Sequence, residues 1–293
     1  MQFENRVPDE TVNYSTAHPL GEFAWLAVAA LGITLVVSAV VALFGGELAA
    51  RLPFRTENEF AARITRHWED GRRDAQGEAA RDALRAIAAR LAGVMDLPEG
   101  MQVQVHYSPD KVTNAFATLG GNVVFYRGLL VRFDSEDAVA AVLAHEIAHA
   151  KLRHPAASLG RGIAAGLTLS LLSTGLGESV AGGAMQMAAT LPLLKYSRDQ
   201  EAAADQEAIG AVAKVYGHTG GAHDALSALG RIRPDSGDVS FLRTHPVSAE
   251  RVAAVERLAR ERGWALDGAR TSLPAALAVL KEKGGADKAG VAE

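Results

Sequence analysis

Twenty-two consecutive uncharged residues, Phe23 to Phe44 (FAWLAVAALGITLVVSAVVALF), constrain this chain more than any other feature. As a helix they extend about 33 Å, enough to cross the hydrocarbon core of a bilayer. Glu22 and Glu47 bracket the run, and Trp25 stands near one end, where an indole settles at the membrane interface. The stretch is too long for a signal-peptide core and follows an acidic tail, so it reads as a retained transmembrane helix. Arg6 lies upstream, whereas Arg51, Arg55 and Arg63 follow closely, which leans the C-terminal part toward the cytoplasmic face. The expected location is a bacterial inner (plasma) membrane, crossed once.

The rest of the 293 residues must fold beside that anchor. With 48% hydrophobic residues the chain can bury a core, and a net charge of −4 offers no basic footprint, so nucleic acid is excluded as a partner. Cysteine is absent, which removes disulfides, thiol catalysis and thiolate metal sites. Residues 1–22 read as a polar tail. Residues 45–77, of mixed charge, read as a connecting segment forming a solvated helix near the bilayer.

A domain is expected over 78–265. Leu84, Ile87, Leu91 and Val94 recur at helical spacing, MQVQVHY alternates as a strand, and NAFATL and NVVFY form a hairpin about Gly120-Gly121. SEDAVAAVLAHEIAHAKLRH reads as a helix capped by Ser135, running to about His154 and stopped by Pro155. The apolar stretch 156–194 has its longest uncharged run, Gly162–Gly177, at 16 residues. That is short for a crossing and suits a buried or membrane-dipping helical hairpin. Further helices are expected over YSRDQEAAADQEAIGAVAKV, Ala222–Ile232 and Val247–Arg262, and 266–293 as a partly disordered tail. The fold class is mainly α with a small β-sheet (α+β).

Within the expected buried helix stands AHEIAHAKLRH. Residues four apart on a helix lie one turn above each other, so His145 and His149 can reach one metal ion. Glu146, rotated about 100° from His145, is placed to touch a water on that ion rather than to bind it. Val142, Leu143, Ile147 and Ala148 are apolar, and buried imidazoles among them are costly unless ligated or hydrogen-bonded. Two core histidines satisfied by hydrogen bonds are the alternative. A third ligand is offered by EAAAD: Glu201 and Asp205 are again four apart, Glu201 with the longer reach as ligand, Asp205 as acceptor for a ligand imidazole's second nitrogen. The ion expected from such a set is Zn2+, one per chain. His154, His218 and His223 read as solvated histidines, and His18, His67 and His106 carry no spacing signal.

In order, NAFATLGGNVVFYRGLL, AHEIAHAKLRH, SRDQEAAAD and THPVSAERV resemble the membrane-linked gluzincin peptidases, the group of HtpX and the CAAX prenyl endopeptidases. The resemblance spans roughly Arg81 to Leu258. It implies a zincin-like metallopeptidase domain behind the transmembrane helix, with His145, His149 and Glu201 on zinc and Glu146 as general base. It further implies that Asn114 and His245 contact substrate or the developing oxyanion, and that Arg251 plays a supporting role. The expected activity is endoproteolysis of protein or peptide held in extended form along the NAFATL edge, in membrane or envelope protein quality control. A membrane-anchored chaperone or adaptor on a zincin scaffold with little turnover is the alternative. The lipid bilayer is the other expected partner, and the oligomeric state is left open.

Overall fold

The structure, a computed structural model, describes residues 19–69, 74–162, 195–232 and 240–281. A helix apolar on every side has no face to turn toward a small core. Helix α1 (Pro19–Ala50) accordingly leaves Phe23, Trp25, Leu26, Ile33, Val36 and Phe44 exposed around its circumference. Among the described residues it is the helix long and apolar enough to span a bilayer, over Leu20–Val37.

Helix α2 (Phe54–Glu69) departs from the solvated segment expected between anchor and domain. Phe54, Glu57 and Ala61, at helical spacing, are buried, while Arg55 and Glu59 pair on the exposed side. Asn58 Nδ2 donates to the Gly100 carbonyl at 3.2 Å. Arg55 and Glu59 mark the exposed face, and the face carrying Phe54, Glu57 and Ala61 docks on the domain.

Asp74 caps helix α3 (Ala75–Ala92) by accepting from the Gly77 amide at 2.6 Å, and Leu84, Ile87 and Leu91 enter the core. Strands β1 (Gln104–Ser108), β2 (Ala115–Ala117) and β3 (Asn122–Tyr126) form a sheet in the order β1-β3-β2, parallel between β1 and β3 and antiparallel between β2 and β3. Ala117 faces Val123 across the hairpin, leaving β2 on the edge of this sheet. The connecting turn, Leu119–Gly121, needs positive φ at Gly120 (71°) and Gly121 (83°). A Cβ on Gly121 would also come within 2.4 Å of the Gln102 carbonyl oxygen. Gly121→Ala is therefore expected to destabilise the domain by about 1–3 kcal/mol, read as a fall of several degrees in Tm; an unchanged Tm would contradict this account of the turn.

After a short helix α4 (Arg127–Leu130), helix α5 (Glu136–Lys151) runs through the centre of the domain. Ser135 accepts from the Ala138 amide at 3.3 Å, and every residue from Glu136 to Ala150 is buried. Alanine at 138, 140, 141, 144, 148 and 150 lets neighbours approach from all sides, as a helix without a solvent face requires. Those neighbours are α3, β2, α7 (Arg198–Tyr216) and α8 (Gly220–Gly230).

Helix α5 ends at Lys151 rather than near His154. Arg153 takes a left-handed conformation (φ 63°), and α6 (154–162) begins immediately after. Pro155 thus starts a helix instead of stopping one: in the first turn its missing N–H is not needed. Gly160 of α6 meets the end of α1 so closely that a Cβ there would lie 2.3 Å from the Gly45 carbonyl oxygen. The anchor's last turns therefore rest on the domain.

The chain continues through α9 (Ser240–Thr244), α10 (Ala249–Arg262) and α11 (275–281). The packed unit extends past the boundary expected at residue 265: Leu277 and Leu280 are buried in the core, and the Thr271 amide donates to Asp137 Oδ2 at 2.7 Å. The helical hairpin expected over 156–194 lies outside the described residues from 163 on, as do most of the N-terminal tail and the end of the C-terminal one. The protein is mainly helical with one small sheet, as its sequence pattern implies.

Candidate metal centre

Two helices supply most of the site. On α5 the four-residue spacing sets the Nε2 atoms of His145 and His149 3.0 Å apart. On α7 a capping box fixes the start: Ser197 Oγ accepts from the Gln200 amide (3.2 Å) and Gln200 Oε1 from the Ser197 amide (3.0 Å). That start puts Glu201 and Asp205 on the face turned toward α5, both buried.

Glu201 Oε2 lies 3.5 Å from His145 Nε2, and Oε1 lies 3.5 Å from His149 Nε2. His245, delivered just after α9 and stacked on Phe241, joins them with Nδ1 2.9 Å from Glu201 Oε1 and 3.3 Å from His145 Nε2. One ligand-type atom from each of His145, His149, Glu201 and His245 falls within a 4.8 Å group, one imidazole more than the three-residue set read from sequence.

The donor set fits zinc. Ligands 2.0–2.1 Å from a tetrahedral ion lie about 3.3–3.4 Å from one another, close to the 3.0 Å between the His145 and His149 Nε2 atoms and to the 3.5 Å from each of these to its nearer Glu201 oxygen, Oε2 and Oε1 respectively. Two imidazole nitrogens at 3.0 Å with lone pairs facing also repel unless a cation or proton stands between them. The local electrostatics favour positive charge at this point. Burial opposes charge on His145, yet Asp205 and Glu201 beside it push its pKa up to about 10. Burial and the neighbouring charged His145 hold His149 well below the usual histidine range, in the neutral form that binds metals. Although burial opposes it, the three imidazoles keep Glu201 well below the usual carboxylate range.

Glu146 stands beside this group, fully buried. Its Oε2 accepts the Ala117 amide of edge strand β2 at 2.8 Å, and its Oε1 has no hydrogen-bond partner among the described residues. His245 Nε2, 3.6 Å from that oxygen, is likewise buried and unpartnered. Burial raises the pKa of Glu146, strengthening it as a proton acceptor.

Asp205 Oδ1 lies 3.0 Å from His145 Nδ1, the nitrogen turned away from the cluster. Arg251 donates from Nε and Nη2 to the two oxygens of Asp205, at 2.7 Å each, and its Nη1 lies 2.7 Å from Glu201 Oε2. Asn114 is buried with Oδ1 unpartnered among the described residues, but it is not brought into the four-residue group. Its link is indirect: the neighbouring Thr113 carbonyl accepts from the amide of Phe241, which stacks on His245.

Sequence reasoning missed two residues. His154, read as solvated, is buried, with Nδ1 2.8 Å from His149 Nδ1; burial, chiefly, lowers its pKa to about 4. The signal was Pro155: read as a helix start, it places His154 where the chain folds back. Tyr196 stacks on the His149 ring at 4.1 Å and 22°, just ahead of the Ser197 cap. Two further histidines stand in structural hydrogen bonds away from the cluster. His218 is buried and accepts from the Gly220 amide, and His106 pairs with Asn122 Oδ1 at 2.9 Å.

Comparison with known proteins finds relatives over part of the chain. The Schizosaccharomyces pombe protein named mitochondrial metalloendopeptidase OMA1 is 28% identical over 169 residues, covering 57% of this chain and 48% of that protein. The Arabidopsis thaliana protein of the same name is 32% identical over 155 residues (52% of this chain, 31% of that protein). A putative beta-barrel assembly-enhancing protease of Vibrio cholerae is 30% identical over 163 residues (52% and 34%). The matches span less than half the length of each of these relatives. Residues 78–259, more than half of the chain and all of the helices that carry the cluster, match the description Peptidase family M48, and the protein belongs to that family.

Proposed function

We propose that this protein is a membrane-anchored zinc metalloendopeptidase. The observation that carries the reading is the pair of buried, unpartnered atoms, Glu146 Oε1 and His245 Nε2, 3.6 Å apart beside a metal-type donor set. A base and a donor facing one small space, beside the edge strand β2, suit attack of water on a peptide carbonyl.

His145, His149 and Glu201 would hold the ion. Zinc supplies Lewis acidity toward a carbonyl oxygen and makes a water molecule in its shell more acidic. Glu146 Oε1 takes a proton from the attacking water while Ala117 fixes its other oxygen, and then passes the proton to the leaving amine. His245 Nε2 donates toward the oxygen on which charge develops, with Asn114 behind it as a further polar contact for substrate. Asp205 orients His145 through Nδ1, and Arg251 holds Asp205. An extended substrate adds to the edge of β2, where main-chain pairing gives binding with little sequence selectivity.

The exposed α1 supports a site held beside a bilayer, and the docking of its last turns on α6 would keep the domain close to the lipid surface. Quality control of membrane or envelope proteins at a bacterial plasma membrane, crossed once and with the domain leaning to the cytoplasmic side, fits that placement. So does the narrower likeness to the HtpX and CAAX prenyl endopeptidase group, although the relatives reported above carry the OMA1 and beta-barrel assembly-enhancing names. A scaffold without turnover would not need an intact base beside the donor set. Purified without chelator, the protein is expected to hold about one zinc per chain by elemental mass spectrometry. Protein free of zinc under those conditions would contradict the proposal.

A further inference from the structure

We propose that His154 is the positioning residue for His149, accepting the Nδ1–H of that imidazole at its own Nδ1; this rests on the zinc reading above. His149 turns Nε2 toward His145 Nε2 (3.0 Å) and Glu201 Oε1 (3.5 Å), so Nε2 is its ligating atom. A neutral imidazole carries one N–H, and with the Nε2 lone pair committed to an ion that hydrogen sits on Nδ1. Nδ1 of His149 lies 2.8 Å from Nδ1 of His154. The acceptor there must be a bare nitrogen, which fixes His154 as the Nε2–H tautomer.

The surroundings hold the pair in place. Tyr196 stacks on His149 at 4.1 Å and restricts rotation of the ring. His154 follows the left-handed residue Arg153, whose guanidinium pairs with buried Glu57, donates to the Leu52 carbonyl and covers the Phe54 ring at 3.7 Å. The turn that presents His154 is thus gripped by the segment leading out of the anchor helix. The two ligand histidines are supported differently: His145 by the carboxylate of Asp205, His149 by a neutral imidazole. The second arrangement orients the ring without adding a negative charge to a site that already holds Glu146, Glu201 and Asp205.

The test is zinc affinity, measured on the full chain in detergent by competition with a chromophoric chelator, for wild type, His154→Phe, His154→Asn and His154→Gln. The asparagine amide oxygen can occupy the place of imidazole Nδ1 and accept the same hydrogen, whereas the glutamine oxygen sits one methylene further out. His154→Phe and His154→Gln are expected to weaken zinc binding about 10- to 100-fold, and His154→Asn to restore most of it. A merely structural role would make the two amides alike. Thermal unfolding of the zinc-free proteins checks the fold, and if His154→Phe does not fold, the Asn–Gln comparison decides. Wild-type affinity in His154→Phe, or equal affinities for Asn and Gln, would overturn the proposal while leaving the zinc site standing. A wild-type chain without zinc affinity would overturn both.

Discussion

Glu146→Gln is expected to keep its zinc and its fold and to lose about a hundred- to ten-thousand-fold in peptide hydrolysis. The substitution is nearly isosteric, and the amide oxygen can still accept from the Ala117 amide as Glu146 Oε2 does at 2.8 Å. What disappears is the proton acceptor at Oε1, the atom that faces His245 Nε2 across 3.6 Å. Burial strengthens the native carboxylate as a base, and the neutral amide of the variant has no such basicity. Cleavage of casein by the two proteins, matched for zinc content, is the measurement. Near wild-type hydrolysis by the variant would show that the base lies elsewhere.

Glu201→Ala is expected to reduce zinc affinity far more than Asp205→Ala does. Glu201 reaches both histidines at 3.5 Å and brings the negative charge that offsets the ion, so its removal leaves an incomplete donor set. Asp205 touches the cluster directly at His145 Nδ1 and indirectly through Arg251, and losing it should weaken zinc binding by about 10- to 100-fold without abolishing it. Removing Asp205 also frees Arg251, whose Nη1 already lies 2.7 Å from Glu201 Oε2 and would draw that ligand's charge away from the ion. Metal titration of both variants in one buffer gives the order. The reverse order would mean that the two carboxylates exchange roles.

Legibility followed the range of the interactions. The anchor could be read because apolar length alone decides whether a helix can span a bilayer. The pairs His145–His149 and Glu201–Asp205 could be read because helical periodicity dictates which side chains share a face, and the Gly120-Gly121 turn because only glycine takes those angles freely. The arrival of His245 one hundred residues from His145 is a tertiary fact, reachable from sequence only through resemblance. The docking of α2 was hidden because exposed Arg55 and Glu59, legible as solvated, share the helix with the buried Phe54, Glu57 and Ala61. His154 was hidden by Pro155, which has opposite meanings at the start and in the body of a helix. The core role of Leu277 and Leu280 was masked by the polar, glycine-containing segment before them, tied down at Thr271, whose amide and hydroxyl donate to buried Asp137 and whose carbonyl accepts from the Glu136 amide.

On this proposal the His145, His149 and Glu201 cluster works through a bound metal to cut peptide bonds. Its most direct test is casein cleavage by the purified full-length chain before chelation, after chelation and after stoichiometric zinc is returned. Cleavage should stop on chelation and return with zinc in the wild type, and should not return in His149→Ala. Cleavage that persists after the metal is stripped, or that zinc restores equally in His149→Ala, would contradict the account.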